Sequence, residues 1–501
     1  MIEVKFFNHA YCKVICDRSI AFEIKDAFSF RIDNYKFHPL VKQNRWDGII
    51  KLYNLRDFTF PVGLIAELKV WAEGSGYNIT ISPEYQTKDA LTHEKAIEFF
   101  DTLNLKYKPR DYQIEAFIDS INSRRKIVIS PTGSGKSLIM YLLTRWLLKN
   151  DPNDILIIVP TTALVYQLCD DFKDYGWSDF DEYVHPIADG SSKNTDKKVV
   201  ISTWQALQFL AIDKKIKGRV DQYNSKYFER FGTLIGDEAH TFKADSLKGI
   251  SDVMTSSYRR IGLSGTLSES LTNEMVLKGI FGPIMRTTYT SDLIADGTLS
   301  DFKIRCLNIQ YPKDIKEIFR KSKLDYQAEL DFIYSRTVRN NKLALLALSQ
   351  NGNTAIIFRH IEKHGKLLYD AIKAKNEKLG LNKKIYFYSG EISGDERNEI
   401  RKAIEEDKNA IIIGSIQTFS TGINIVNLDT LIFASPQKSQ IKVLQSIGRI
   451  LRQNNKTAIL YDISDDLRLG KYENYAYKHF VHRLEIYVKE GFDYELINMS
   501  L

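Results

Sequence analysis

Ser130-Pro131-Thr132-Gly133-Ser134-Gly135-Lys136-Ser137 places two glycines, a lysine and hydroxyl side chains between an apolar strand-like run, Lys126 to Ser130, and a helical pattern, Ser137 to Lys149. A loop in that setting cradles phosphate. Gly133 and Gly135 let backbone N–H groups of Thr132 to Lys136 turn inward, and the helix N-terminus adds its positive dipole end. Lys136 supplies a point charge and Ser137 offers its hydroxyl to Mg²⁺. Ser130 stands where the strict pattern has glycine. About a hundred residues further on, Thr233-Leu234-Ile235-Gly236-Asp237-Glu238-Ala239-His240 predicts a buried strand ending in two adjacent carboxylates. Asp237 is placed to hold Mg²⁺ through its water shell, and Glu238 to orient and deprotonate an attacking water. In isolation such a quartet is equally a solvated strand end; behind a phosphate loop it completes an ATP site.

Two weaker elements flank this pair. Ser264-Gly265-Thr266 closes another strand-like run with small hydroxyl residues. Arg110-Asp111-Tyr112-Gln113 precedes the first strand, where the Gln113 amide offers a donor and an acceptor to an adenine edge. Far along the chain, Gln445-Ser446-Ile447-Gly448-Arg449-Ile450-Leu451-Arg452 sets Arg449 and Arg452 one helical turn apart, so both guanidinium groups point the same way. On its own that pair is a solvated helix face.

The elements that must hold these groups fall into two long α/β stretches. The first has predicted strands at Lys126 to Ser130, Ile155 to Pro160, Lys198 to Thr203, Thr233 to Asp237 and Arg260 to Ser264. The second has them at Thr354 to Phe358, Lys384 to Ser389, Ala410 to Gly414, Thr430 to Ala434 and Thr457 to Tyr461. Near-continuous Val/Ile/Leu/Phe runs imply strands buried on both faces of parallel sheets, with helices such as Glu396 to Glu406 covering them. A domain boundary falls near residue 295, giving domains 1–90, 91–295 and 296–501, the last ending in a helical extension. Asp47-Gly48 between apolar flanks predicts a hairpin turn, and Ile65 to Ala72 has helical spacing, so residues 1–90 predict a small α+β domain.

With 501 residues, 44% hydrophobic and 27% charged, the chain suits about three globular domains and excludes a disorder-dominated protein. Its apolar runs are far shorter than a membrane span, and Met1-Ile2-Glu3-Val4-Lys5 lacks a signal-peptide layout, so a cytoplasmic protein without membrane contact is expected. Cys12, Cys16, Cys169 and Cys306 form no CxxC pair and no Cys/His grid, which excludes a disulfide framework and a structural zinc site. The net charge of +7 is compatible with a polyanionic partner and decides nothing alone.

Together these motifs resemble the superfamily-two helicases. Arg110 and Gln113 match the adenine-reading element, Ser130 to Ser137 motif I, Pro160-Thr161-Thr162-Ala163-Leu164 motif Ia, and Ser202-Thr203 motif Ib or Ic. Asp237 to His240 matches motif II, Ser264-Gly265-Thr266 motif III, Ile357-Phe358-Arg359 motif IV, and Ser389-Gly390 its companion. Gly414-Ser415 through Thr421-Gly422-Ile423-Asn424 is similar to motif V, and Gln445 to Arg452 to motif VI. The resemblance implies two RecA-like domains with ATP and Mg²⁺ as cofactors, Arg449 and Arg452 as arginine fingers on the γ-phosphate, and Gly422 near the nucleotide. It further implies that His240, Ser264, Thr266 and Gln445 link hydrolysis to movement, and that Thr161, Thr162, Thr203, Arg359, Ser389 and Thr421 touch a nucleic-acid backbone. For the threonines, helix or turn capping is the open alternative. Asn424 stands where this family often has an acidic residue.

The Trp46-Asp47-Gly48 and Pro61-Val62-Gly63-Leu64 segments, with the motor motifs, narrow the resemblance to the UvsW-type recombination and repair helicases of T-even-like bacteriophages. That implies a monomeric DNA helicase acting on branched, single- and double-stranded DNA and on RNA–DNA hybrids, in host cytoplasm. Lys36, Lys42, Arg45 and Lys51, interleaved with Tyr35, Phe37 and Trp46, suit either nucleic-acid contact or the solvated edge of a core hairpin. The rival functions are an ATP-switched nucleic-acid clamp without strand separation and the motor subunit of a restriction-type complex.

Overall fold

A strand whose residues are all apolar has no face to offer water, so it must lie inside a sheet covered on both sides. In the computed structural model the runs Asp154–Val159, Val199–Thr203, Thr354–Phe358 and Ile411–Ser415 are mainly apolar strands of this kind, with polar residues only at their ends, buried along their whole length. The structure describes residues 1–501 apart from 88–89, 189, 217–218, 224–225, 268–269, 323, 389–393, 422–426 and 452–455. The chain divides into two compact units: Met1–Ser130 with Gly135–Thr288, and Tyr289–Leu501 with Pro131–Ser134.

The first unit opens with a small layer. Strands β1 (Ile2–Lys5) and β2 (Tyr11–Ile15) with β3 (Thr59–Pro61) and β4 (Ile79–Ile81) form a sheet in the order β3-β2-β1-β4, with helices α1 (Arg18–Ala27) and α2 (Ile65–Gly74). In β1 and β2 buried Ile2, Val4, Cys12 and Val14 alternate with half-buried or exposed neighbours, so one face of the sheet is the more deeply covered. Asp47-Gly48 does not make a tight hairpin. The ladder there joins Ser29–Arg31 to Ile49–Lys51, and the intervening stretch carries two short helical turns, Tyr35–Phe37 and Pro39–Lys42. Asp47 instead accepts the Ile49 N–H at 3.0 Å, an Asx turn that needs no partner strand before it. Trp46 donates its indole N–H to the Ile49 carbonyl at 3.1 Å and meets His38 edge-on.

Next come α3 (Asp111–Ser123), β5 (Arg125–Ile129), α4 (Lys136–Asn150), β6 (Asp154–Val159), α5 (Thr162–Asp174), β7 (Val184–Ile187), β8 (Val199–Thr203), β9 (Phe231–Asp237), β10 (Arg259–Ser264), α6 (Leu271–Phe281) and β11 (Ile284–Arg286). Among the described residues the seven strands pair entirely in parallel, in the order β11-β5-β10-β9-β6-β8-β7. An antiparallel ribbon, Ile212–Ile216 with Arg219–Tyr223, is inserted between β8 and β9. Strand β7 contains Pro186 and β11 is three residues long, which is why the apolar-run criterion passes over both.

The N-terminal layer shares core with this sheet. Met275 of α6 packs among Val62, Leu64 and Leu68. Gly63 lies so close to α6 that a Cβ there would collide with the Lys278 carbonyl oxygen, so only glycine permits this approach. Buried Arg125 donates to the His9 carbonyl and to the Ile280 carbonyl at 2.6 Å, and Tyr11 donates to Asp252 at 2.7 Å.

The second unit contains β12 (Phe302–Gln310), α7 (Thr337–Ser349), β13 (Thr354–Phe358), β14 (Ile385–Tyr388), β15 (Ile411–Ser415), β16 (Thr430–Phe433), α8 (Gln440–Ile450), β17 (Ala458–Asp466), α9 (Tyr475–Lys489) and β18 (Tyr494–Ser500). Its described strands make a second all-parallel seven-stranded sheet in the order β14-β15-β13-β16-β17-β12-β18. The C-terminal stretch is a helix followed by a strand, where the sequence pattern suggested helix alone: β18 pairs residue for residue with β12 at the sheet edge. Two parallel α/β sheets preceded by a small mixed domain match the fold class expected from the sequence. All four cysteines are free thiols, and among the described residues no helix is long and apolar enough to cross a membrane.

Candidate active site

The loop after β5 has the geometry a phosphate cradle needs. Gly133 and Gly135 adopt φ of +85° and +82°, and Gly135 is the N-cap of α4. A Cβ on Gly135 would meet the end of the Gln113 side chain, which can shift, so it is the positive φ that calls for glycine there. Ser130, the departure from the strict pattern, keeps an ordinary negative φ and is fully buried, with its hydroxyl 3.0 Å from Thr287 Oγ1. Ser134 Oγ donates to the Pro131 carbonyl at 2.6 Å, and Lys136 Nζ to the Ser130 carbonyl at 3.1 Å. Gln113 ties the adjoining helix start to this loop. Its Oε1 accepts the Arg110 N–H at 2.9 Å and its Nε2 donates to the Gly135 carbonyl at 3.4 Å, while the exposed Arg110 side chain reaches Tyr112 Oη at 3.1 Å. Ser137 Oγ lies 2.6 Å from Tyr175 Oη.

Strand β9 delivers the two carboxylates. Asp237 is its last residue, and Glu238 follows at φ +48°, a left-handed conformation that costs a non-glycine residue about 1–3 kcal/mol and that clusters at functional sites. Glu238 Oε2 lies 3.2 Å from His240 Nδ1 and accepts from Ser264 Oγ at 3.4 Å. Ser264 Oγ is also 2.9 Å from His240 Nδ1 and donates to the Thr266 carbonyl at 2.7 Å. One serine hydroxyl at the end of β10 thus joins the histidine, the glutamate and the Thr266 turn. Its single proton serves one acceptor at a time.

Electrostatics separate the two acids. Burial, then the neighbouring Glu238 charge, pushes Asp237 up to about 7. Burial also opposes ionisation of Glu238, but the His240 hydrogen bond and the charges of Lys136 and His240 outweigh it and hold this carboxyl below its ordinary value. One acid is therefore the readily ionised base candidate, and the other gains most from an arriving cation. Ser137 and Asp237 are oxygen donors, the kind a hard divalent cation takes.

The remaining site residues are placed as follows. Thr161 and Thr203 cap helices, accepting the Leu164 and Ala206 N–H groups at 3.4 Å, and Thr162 is the first residue of α5. Capping, the open alternative for the threonines, is what the Thr161 and Thr203 hydroxyls do here. In the second unit Arg359 follows β13, its side chain exposed and donating to Tyr326 Oη at 2.8 Å. Gln445 and Arg449 lie one turn apart on α8, both partly buried. Thr421 ends the helix Ile416–Thr421. Ser389, Gly422 and Arg452 lie outside the described residues. Sequence reasoning passed over Tyr175, the partner of the Ser137 hydroxyl, because a tyrosine at the end of a helix 38 residues downstream belongs to no motif.

Comparison with known proteins agrees with this geometry. Three family models match: "DNA helicase UvsW, N-terminal" over residues 1–82, "Type III restriction enzyme, res subunit" over 106–269, and "Helicase conserved C-terminal domain" over 338–454. The chain is 32% identical to the ATP-dependent DNA helicase uvsW of Enterobacteria phage T4, covering 100% of both chains. It is 24% identical to the DNA 3'-5' translocase XPB2 of Sulfurisphaera tokodaii, over 81% of this chain and 94% of that one. Among solved structures it is similar to the crystal structure of T4 UvsW, with a TM-score of 0.51 and 31% identity over 100% of this chain and 99% of that one. With a phosphate loop, an acid pair at the next strand end and this identity over its full length, the chain belongs to the UvsW family of ATP-dependent helicases.

Proposed function

We propose that the protein is an ATP-driven DNA translocase that unwinds or branch-migrates branched DNA and RNA–DNA hybrids in recombination, repair and rescue of replication forks. The observation that carries the reading is the connected set Lys136, Asp237, Glu238, His240 and Ser264 at one end of a parallel sheet. Lys136 binds the β- and γ-phosphates, Ser137 and Asp237 hold Mg²⁺, and Glu238 takes a proton from the attacking water. Phosphate oxygens and water would complete the shell of a cation held by Ser137 and Asp237. When bound, Mg²⁺ neutralises charge gathering on the phosphates.

Arg110 and Gln113 read the base, and Arg449 and Arg452 act as arginine fingers, with Gly422 near the nucleotide. ATP binding and hydrolysis then favour different conformations of the protein. His240, Ser264, Thr266 and Gln445 pass that change on. Thr161, Thr162, Thr203, Arg359, Ser389 and Thr421 grip a strand backbone, and residues 1–90 add contacts to branched DNA. The domains run 1–90, 91–295 and 296–501, and the protein works as a monomer in the cytoplasm. The UvsW relationship and the soluble-type composition support these assignments.

The test is a panel of fork, four-way junction, displacement loop and RNA–DNA loop, with ATP hydrolysis measured alongside. Lys136→Ala is expected to abolish nucleic-acid-stimulated turnover, and Glu238→Gln to slow it by about 10²–10⁴-fold while ATP still binds. Arg449→Ala should lower turnover far more than nucleotide affinity. Strong ATPase with no strand separation on any member of the panel would establish the clamp instead.

A further inference from the structure

A serine hydroxyl that binds a cation must turn a lone pair toward it, and its one proton must then point elsewhere. A group able to accept it, the phenol oxygen of Tyr175, lies 2.6 Å from Ser137 Oγ, at the short end of the range for O–H···O bonds, in a pair where either hydroxyl can be the donor. The ring carrying that oxygen is held from several sides. Tyr175 is the C-cap of α5, with its backbone N–H bonded to Asp171 O. Its ring packs edge-on against Tyr141, one turn after Ser137 on α4, at 5.5 Å between centroids, and against Tyr107 at 6.0 Å. Tyr107 is fastened in turn by a hydrogen bond to Asp174 at 3.2 Å. The phenol therefore reaches Ser137 on an immobilised ring, from a helix other than the one that carries the serine.

We propose that Tyr175 is a positioning residue for the divalent cation accompanying the nucleoside triphosphate: it accepts the Ser137 proton and so aims the Ser137 lone pairs at the metal. The proposal rests on Ser137 being a metal ligand, and it concerns a residue outside every motif. Partners behind a metal ligand orient it, and their loss commonly lowers metal affinity by about 10–100-fold. A site with few protein ligands depends correspondingly on how each is aimed.

Binding of a fluorescent non-hydrolysable ATP analogue to the full chain, titrated with Mg²⁺ from none to about 10 mM, reads this directly. Tyr175→Phe keeps the ring and removes only the oxygen. It should raise the Mg²⁺ concentration for half-maximal binding by about 10-fold while leaving binding in EDTA and the thermal midpoint unchanged. Ser137→Ala should produce at least as large a shift, and adding Tyr175→Phe to it should change nothing further, because the oxygen then has no proton to receive. A Tyr175→Phe titration that superimposes on wild type, while Ser137→Ala shifts it, overturns the positioning role and leaves the metal site standing. If Ser137→Ala itself leaves the Mg²⁺ dependence unchanged, the metal reading of Ser137 fails and the inference falls with it. Weaker binding of Tyr175→Phe in EDTA to the same extent as in Mg²⁺ would show a packing role and also overturn it.

Discussion

Midway along and near the end of β17 in the second unit, Asp462 and Asp465 are fully buried and each is clasped by a fully buried arginine. Arg483 Nη2 lies 2.7 Å from Asp462 Oδ1, and Arg339 Nε lies 2.7 Å from Asp465 Oδ1. Tyr487 and Tyr311 add hydroxyl donors at 2.9 and 2.8 Å. At the end of β9 in the first unit, Asp237 and Glu238 are only partly buried, their surroundings are a lysine, a histidine and a serine, and Asp237 is pushed up to about 7. Buried acids with fixed guanidinium partners hold one arrangement, because both carboxylate oxygens are already engaged. Asp237, a carboxyl raised toward neutrality, is costly to keep ionised, and that cost is what an incoming cation can offset.

The largest effect should come from breaking a clasp. Arg483→Ala leaves Asp462 charged and buried with its principal partner gone, and such losses amount to about 3–5 kcal/mol. Chemical unfolding should show the second unit melting earlier, with the first unit unaffected. Replacing both partners by apolar residues, Arg483→Met with Asp462→Leu, should recover most of that loss. If Arg483→Ala unfolds like wild type, these pairs do not lock the second unit and the contrast with β9 disappears.

The reverse sign is expected in the first unit. Asp237→Asn removes a charge whose burial is unfavourable above neutral pH, so the thermal midpoint at about pH 8 should rise, by a gain on the order of 1 kcal/mol, as ATP turnover is lost. A fall in stability would mean that Asp237 is engaged as Asp462 is, and that the two acids are alike.

How much of this contrast is legible in the sequence follows from what each feature depends on. The Ser130 to Ser137 loop and the Asp237-Glu238 pair are local, each a short run following an apolar strand, so type and spacing suffice to find them. The clasps are not local. Arg483 is 21 residues from Asp462 and Arg339 is 126 from Asp465, and nothing in either neighbourhood marks them as partners. The same holds for Ser137 and Tyr175, and for Gly63, whose need for glycine arises from a helix more than two hundred residues away. Parallel strands with unbroken apolar runs were visible as such. The Asp47-Gly48 segment misled because an Asx turn and a hairpin turn share the same dipeptide, and only the position of the partner strand separates them.

The smallest effect separates the units by pH. His9, at the seam of the N-terminal layer, is lowered to about 4 by burial and by the charges of Arg125, Arg260 and Arg124. His479, on α9, is lowered to about 4 by burial and by Arg483, Lys438, Arg359 and His482. In the unfolded chain both titrate near 6.5, so between about pH 6.5 and pH 4 the unfolded state binds protons that the native state does not. Stability contributed by the neutral rings is therefore complete above about 6.5 and falls as pH drops toward 4. Both rings keep some solvent contact, which limits each contribution to about 1 kcal/mol. His9→Gln should flatten the decline for the first unit, and His479→Gln for the second, when melting is followed between about pH 7.5 and pH 4.5. A decline left unchanged by both substitutions would show that neither ring sets the acid sensitivity of its unit.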